Sequence, residues 1–117
     1  FLDIAGTKQP GDMQGLALTP LLRGKTPANW RKTHYYHYYE AGGHGVPVHY
    51  GVTDGRHKLI RFPDDTLDAW EFFDLKKDPN EMQSRYDDPQ YTRTIAALKE
   101  ELNRLRKQYQ VENFENP

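Results

Sequence analysis

The chain has 117 residues, of which 36% are hydrophobic and 13% aromatic, and its formal net charge at pH 7 is -1. This length fits one domain with one modest core. The near-zero charge provides no electrostatic attraction to nucleic acid or to an anionic membrane surface. Cysteine is absent, which excludes disulfides and cysteine-based zinc sites. No apolar stretch approaches the roughly 20 residues that a membrane-spanning helix needs.

Residues 1–32 are expected to form an irregular linker with short helical turns. The opening residues FLDIAG have the composition of the last turn of an amphipathic helix that ends at Gly6, because glycine commonly follows a helix C-terminus. A chain that opens in this way is expected to be a fragment of a longer protein. Further on, a short helical turn is expected to start near Thr19 or Pro20 and to stop at Gly24.

Residues 33–75 predict an antiparallel sheet of about four strands. The expected strands are residues 33–40, 47–53, 56–62 and 69–75. These segments are rich in aromatic residues or alternate apolar with polar residues, as strands do. Between the second and third strands stands the pair Asp54-Gly55, which predicts a two-residue type I′ turn.

Residues 88–110 predict one long C-terminal helix. Asp88 is suited to the N-cap, and Pro89 to the first helical position. The apolar residues that follow are spaced alternately four and three apart and form one stripe, namely Tyr91, Ile95, Leu98, Leu102, Leu105 and Tyr109. We therefore expect an α+β fold in which this helix packs against one face of the four-stranded antiparallel sheet.

Residue types that carry catalysis are scarce in this sequence. Ser84 is the only serine; it lacks the small-residue elbow of a nucleophile and is expected to be a polar turn residue. The sequence GGHG at 42–45 matches neither a P-loop nor a dinucleotide-binding fingerprint. No recognised metal-binding motif is present, and His34 and His37, three apart on a strand, would point to opposite faces. We expect neither catalytic nor metal-binding residues in this chain.

The candidate ligand-binding residues are His44, His49 and Tyr50. The two histidines flank a glycine-rich loop, and loops carried on a rigid scaffold are where binding residues concentrate. Imidazole and phenol groups can hydrogen-bond to an anionic or hydroxylated ligand. The alternative interpretation is that these histidines are surface or structural residues. The tyrosine-rich strand is likewise either a platform for stacking sugars or a mixture of core and surface residues.

Taken in order, six segments resemble the C-terminal subdomain of type I, formylglycine-dependent sulfatases, nearest to bacterial N-acetylglucosamine-6-sulfatase-like and arylsulfatase enzymes. The segments are FLDIAG, MQGLALTPLLRG, YYHYYE, VPVHYGVTDGRHKLIRF, WEFFDLKKDPNE and YDDPQY. The resemblance covers essentially the whole chain. It departs from the family at Ser84, where sulfatases often have asparagine.

The resemblance implies a periplasmic or secreted parent enzyme that hydrolyses sulfate esters of glycosaminoglycan sugars. Its calcium ion and formylglycine would lie in an N-terminal catalytic domain, on which this non-catalytic subdomain packs. The loop at residues 42–50 would help to wall the substrate pocket, with His44, His49 and Tyr50 as candidates to contact the sulfated sugar. Without the catalytic domain, the surface that docks on it would be exposed as an apolar patch around residues 16–22. Such a patch would favour self-association.

Two other functions remain open at this stage. The aromatic strand and the histidine loop would also suit an autonomous module that binds a glycan or a protein. A related phosphoester or phosphonate hydrolase could carry the same C-terminal domain, and only its upstream nucleophile sequence would distinguish it.

Overall fold

The computed structural model describes residues 1–40, 43–63 and 67–111. Gly42 of the predicted loop and the tail after Val111 lie outside these residues. Contacts between Cα atoms divide the chain into two units, Phe1–Arg31 and Lys32–Pro117. In the part of the chain that is described, no helix combines the length and the apolar character needed to span a membrane.

The first unit contains two helical turns that end at glycine, as predicted. At Gly6, whose φ is 65°, the amide of Thr7 donates to the carbonyl of Leu2 over 3.0 Å. The short helix α1 spans Thr19–Leu22 and ends in the same way at Gly24, whose φ is 72°. Glycine suits both positions because a side chain would strain the left-handed backbone that closes a helix.

The second unit contains a four-stranded antiparallel sheet with the order β1-β2-β3-β4. Its strands are β1, His34–Tyr38; β2, His49–Thr53; β3, His57–Phe62; and β4, Ala69–Asp74. All three neighbouring pairs are antiparallel. The predicted strands are confirmed, each shorter than expected by one to three residues because the pairing stops where the connecting loops diverge.

The turn between β2 and β3 differs from the predicted type I′ turn at Asp54-Gly55. A type I′ turn needs a positive φ at both central residues, but in this turn only Gly55 has one, at 89°. The amide of Asp54 donates to the carbonyl of His57, which makes Gly55 and Arg56 the central pair. The Asp54 carboxylate accepts from the amides of Arg56 and His57 at 2.9 and 2.6 Å and holds this register. A positive φ at the first central residue alone is the pattern of a type II′ turn.

The predicted C-terminal helix is confirmed as α2, Thr92–Gln108, preceded by a 3₁₀ turn at Pro89–Tyr91. Asp88 caps this turn, since its carboxylate accepts from the amide of Gln90 at 3.0 Å. The apolar stripe of the helix packs on one face of the sheet to form the core. The buried residues of this core are Tyr50, Val52, Leu59, Phe72, Tyr91, Ile95, Leu98, Leu102 and Leu105.

On the sheet face opposite α2, the ring of Tyr36 lies across Gly51. A Cβ atom at Gly51 would lie 2.7 Å from the Tyr36 hydroxyl oxygen, so only glycine leaves room for the ring. The neighbouring Tyr35 packs on the other face, against the core and the ring of Tyr109. Tyr35 and Tyr36 therefore lie on opposite faces of the sheet, as adjacent residues of a strand do.

Candidate functional site

One end of the sheet gathers exposed apolar side chains. Because the strand order follows the chain, the β1–β2 and β3–β4 connections lie at the same end of the sheet. We call this end the loop end; its described connecting residues are 39–40, 43–48, 63 and 67–68. Among the described residues of the second unit, four large apolar side chains are exposed, and three of them, Tyr39, Val46 and Leu67, lie at the loop end. Such a concentration is typical of a surface that contacts a ligand or another domain.

His44 lies at the loop end with its side chain exposed. It occupies the middle of a short turn, Gly43–Gly45, with φ 57° and ψ 14°. This left-handed conformation is uncommon for residues other than glycine, although histidine adopts it more often than most. In this turn the His44 imidazole is exposed to solvent.

His49 is the first residue of β2 and lies on the face opposite α2. Its Nδ1 atom lies 2.9 Å from the carbonyl oxygen of Pro47, so Nδ1 carries the proton that it donates. The ring is held among three aromatic rings, stacked on Tyr38 at 5.5 Å and tilted against Phe62 at 5.5 Å, with Tyr36 at 5.9 Å. These contacts fix the ring and leave Nε2 as a hydrogen-bond acceptor without a partner among the described residues.

Tyr50 follows His49 and therefore lies on the opposite face of the sheet, inside the core. Only 6% of its surface is exposed. Its hydroxyl accepts a hydrogen bond of 3.0 Å from Nη1 of Arg106, whose guanidinium also lies 4.5 Å from the ring centre. The three candidate residues are thus divided between an exposed loop, the outer face of the sheet and the core.

Sequence reasoning missed a buried polar network at the other end of the sheet. The Asp74 carboxylate is 1% exposed. Arg56 donates to both of its oxygens, from Nε at 3.2 Å and from Nη2 at 2.9 Å, and the Tyr91 hydroxyl donates at 3.1 Å. The hydrogen bonds from Arg56, followed by that from Tyr91, hold the pKa of Asp74 far below its usual range. The alternation along β4 is sufficient to place Asp74 on the core face. No local sequence pattern, however, identifies Arg56 and Tyr91 as its partners.

An open cleft of about 410 Å³ lies beside this network. Basic and acidic side chains share its lining, including Lys77, Asp78 and Arg85. Lys77 is already held over the Tyr91 ring at 5.2 Å. The cleft therefore carries charges of both signs rather than a surface of one sign.

Ser84 also has a structural role. Its hydroxyl oxygen accepts from the amide of Phe72 at 3.2 Å and from that of Tyr86 at 3.4 Å. The amide of Arg85 in turn donates to the Phe72 carbonyl at 2.8 Å. These bonds satisfy backbone groups at the free edge of β4. Ser84 is thus a polar turn residue, as predicted.

The described residues do not form a metal site. No group of three or more histidine, aspartate or glutamate side chains within them is arranged to hold a metal ion. Cysteine, from which formylglycine is commonly made, is absent from the chain, and Ser84 serves the sheet edge. The residues present therefore do not fit the calcium ion or the formylglycine that sulfatases carry.

The architecture and the order of the segments along it define the class of protein, the C-terminal domains of sulfatases. The chain belongs to the family described as N-sulphoglucosamine sulphohydrolase, C-terminal, whose model matches residues 1–108. It is 46% identical over 112 residues to an N-acetylglucosamine-6-O-sulfatase of Bacteroides thetaiotaomicron, an alignment that covers 93% of this chain and 20% of that protein.

Solved structures show the same fold. The structure of BT4656 in complex with its substrate D-glucosamine-2-N,6-O-disulfate matches with a TM-score of 0.91 and 42% identity, over 98% of this chain and 24% of that one. A phosphonate monoester hydrolase from Silicibacter pomeroyi matches with a TM-score of 0.77 at 20% identity, over 97% of this chain and 24% of that one. The second likeness shows the fold alone. The chain spans about a fifth to a quarter of the length of these proteins.

Proposed function

We propose that this chain is the non-catalytic C-terminal domain of an enzyme that hydrolyses a sulfate ester of a glycosaminoglycan sugar. The observation that carries the proposal is the 46% identity, over 93% of the chain, to an N-acetylglucosamine-6-O-sulfatase. A 6-sulfated glucosamine or N-acetylglucosamine unit is the proposed substrate, because the BT4656 structure holds a 6-O-sulfated glucosamine as its substrate.

In this proposal, an N-terminal catalytic domain of the same protein carries out the chemistry. That domain would supply the formylglycine and the calcium ion, which together provide a nucleophile and offset the charge that develops on sulfate. The present chain would pack on it and contribute one wall of the pocket. The protein would be periplasmic or secreted, as its relatives' class implies.

The proposed contribution of this chain to catalysis is positioning of the sugar. His44 is exposed at the loop end, and Nε2 of His49 is the atom through which that ring would accept a hydrogen bond from a sugar hydroxyl. Tyr50 would act from the core: its bond with Arg106 ties β2 to α2 directly behind His49. A pocket at the boundary between two domains is a common place for small-molecule sites.

The proposal is tested on the full-length enzyme by measuring sulfate release from N-acetylglucosamine-6-sulfate. We expect His44→Ala and His49→Ala each to raise KM by up to about tenfold with little change in kcat, since each removes a hydrogen bond present in both ground and transition states. The matched control is His34→Ala, because His34 is an exposed histidine of β1 that pairs with Thr53 at the opposite end of the sheet.

Two results would contradict the proposal. The first is a KM that neither His44→Ala nor His49→Ala changes, which would remove both histidines from the pocket. The second is an enzyme that hydrolyses phosphonate monoesters in preference to sulfate esters. The likeness to the phosphonate hydrolase gives that alternative its basis, since the fold serves both kinds of enzyme.

A further inference from the structure

Tyr39 is a large aromatic side chain that lies outside the hydrophobic core. It follows the last residue of β1 at the loop end, and 56% of its surface is exposed. The other tyrosines of β1 are at least half covered: Tyr35 packs on the core, and Tyr36 lies over Gly51. Tyr39 therefore presents aromatic surface to solvent beside the glycine loop.

The Tyr39 ring is held in place from behind. His37 stacks against it with ring centres 3.7 Å apart and planes inclined by 18°. His37 is in turn fixed by a 2.9 Å hydrogen bond between its Nδ1 atom and the Tyr35 hydroxyl, and by contact with the Tyr50 ring at 5.4 Å. Burial, with the nearby Arg106, lowers the pKa of His37, so the ring that supports Tyr39 stays neutral near pH 7.

A supported and exposed aromatic ring suits the flat, apolar face of a pyranose. Such a ring offers a large apolar area at little cost in conformational entropy. The hydroxyl groups of a sugar project from the rim of the ring, so stacking on its face leaves them open to hydrogen bonds. The stacking residue and the hydrogen-bonding residues would thus recognise different parts of one sugar.

We propose that Tyr39 is a specificity-determining residue that stacks on the pyranose ring of the sulfated sugar. This inference rests on the proposed function, because it assigns a further residue to the same pocket. The phenol hydroxyl is not needed for stacking, whereas the aromatic face is. The sulfate group itself would be bound elsewhere, by the catalytic domain.

The test uses the full-length enzyme and compares Tyr39→Ala with Tyr39→Phe. We expect Tyr39→Ala to raise KM for N-acetylglucosamine-6-sulfate about tenfold, as loss of roughly 1.4 kcal/mol of ring contact implies. Tyr39→Phe should keep KM within about twofold of the native value, an expectation that follows from retention of the ring. The inhibition constant for inorganic sulfate, which has no sugar ring, should be the same in both variants.

A matched control is Met82→Ala, since Met82 is an exposed apolar residue in the connection after β4. It should change neither KM nor the inhibition constant. The proposal is overturned by an unchanged KM in Tyr39→Ala, by a Tyr39→Phe variant as impaired as the alanine variant, or by a parallel rise in the sulfate inhibition constant. The last result would show that Tyr39 supports the pocket as a whole rather than the sugar.

Failure of the proposed function can be told apart from failure of this inference. If the native enzyme releases no sulfate from sulfated sugars, the proposed function fails whatever the Tyr39 variants do. Stacking is then tested by saturation-transfer NMR with N-acetylglucosamine. Transfer to the ring protons of the sugar that Tyr39→Phe keeps and Tyr39→Ala loses would support the inference, and equal transfer in both would overturn it.

Discussion

At the scale of single residues, the Asp74 carboxylate links acidity to the stability of the fold. Its pKa is lowered in the folded state, chiefly by the hydrogen bonds from Arg56. A carboxyl group with a lowered folded pKa stabilises the fold above its unfolded pKa, about 3.9. That stabilisation is lost as the pH falls through this range towards the lowered pKa.

We therefore predict that the free energy of unfolding declines from about pH 5 downward, the range in which such carboxylates take up protons. Asp74→Asn should lower stability at pH 7 and make this decline shallower. Some slope should remain, because the pKa values of Asp54, Asp78 and Glu101 are also lowered. Urea unfolding at several pH values measures it.

The control for Asp74 is Asp87→Asn, a change to an exposed carboxylate in the connection between β4 and α2. It should leave both the stability at pH 7 and the slope nearly unchanged. A slope in Asp74→Asn equal to that of the native protein would mean that another carboxylate controls the acid response.

At the scale of an element, the left-handed residue that ends α2 is not a glycine. Gln110 has a φ of 53°, and its amide donates to the carbonyl of Lys107 while that of Val111 donates to Arg106. This is the hydrogen-bond pattern that Gly6 and Gly24 complete with glycine. A left-handed backbone is less favourable for glutamine than for glycine.

We predict that Gln110→Gly stabilises the protein by about 0.5–1 kcal/mol, because it relieves this conformation. The same substitution two residues earlier, Gln108→Gly, lies within α2 and should destabilise by about 1 kcal/mol. Thermal unfolding of both variants beside the native protein gives the comparison. Shifts of the same sign at the two positions would contradict this account of the helix end.

At the scale of the whole molecule, the first unit exposes much apolar surface. Leu18 and Leu22 are 59% and 78% exposed, and Phe1 and Ile4 are more than 70% exposed. The exposed patch expected around residues 16–22 is therefore present. Surfaces of this kind are normally covered by another domain or a partner.

We predict that the 117-residue chain by itself associates in a concentration-dependent way. Changing Leu18 and Leu22 together to serine should weaken the association, because it removes apolar surface that would be buried between copies. Arg23→Ser, at an exposed polar neighbour, serves as the control. Sedimentation velocity over a hundredfold range of concentration measures this, and a strict monomer throughout would refute it.

Local patterns in the sequence were sufficient for much of this fold. The apolar spacing from Tyr91 to Tyr109 defines one face of a helix whatever it packs against, and Asp88-Pro89 marks its start. The alternation along β1 likewise assigns Tyr35 and Tyr36 to opposite faces. Turn geometry was less predictable, since the Asp54 side chain selects Gly55-Arg56 as the central pair by accepting hydrogen bonds from the amides of Arg56 and His57.

The candidate site could be predicted only in part. His49 and Tyr50 were grouped as candidate binding residues because they are neighbours in the sequence. Neighbours in a strand point to opposite faces of the sheet, however. The helix α2 therefore buries Tyr50, while His49 faces away from α2. His44 and its glycine neighbours were recognisable as an exposed loop from composition alone. The support of Tyr39 by His37 was not recognisable, because stacking depends on side-chain rotamers that no sequence pattern specifies.

By itself, the sequence determined the four strands, the long helix and the resemblance to sulfatases, because each depends on local order along the chain. The tertiary structure alone decided which face of the sheet the helix covers, and so which of the candidate residues remain open to a ligand. It also brought Arg56 and Tyr91 onto Asp74 from separate parts of the chain. These outcomes depend on long-range packing, which sets burial and hydrogen bonding and which local patterns do not encode.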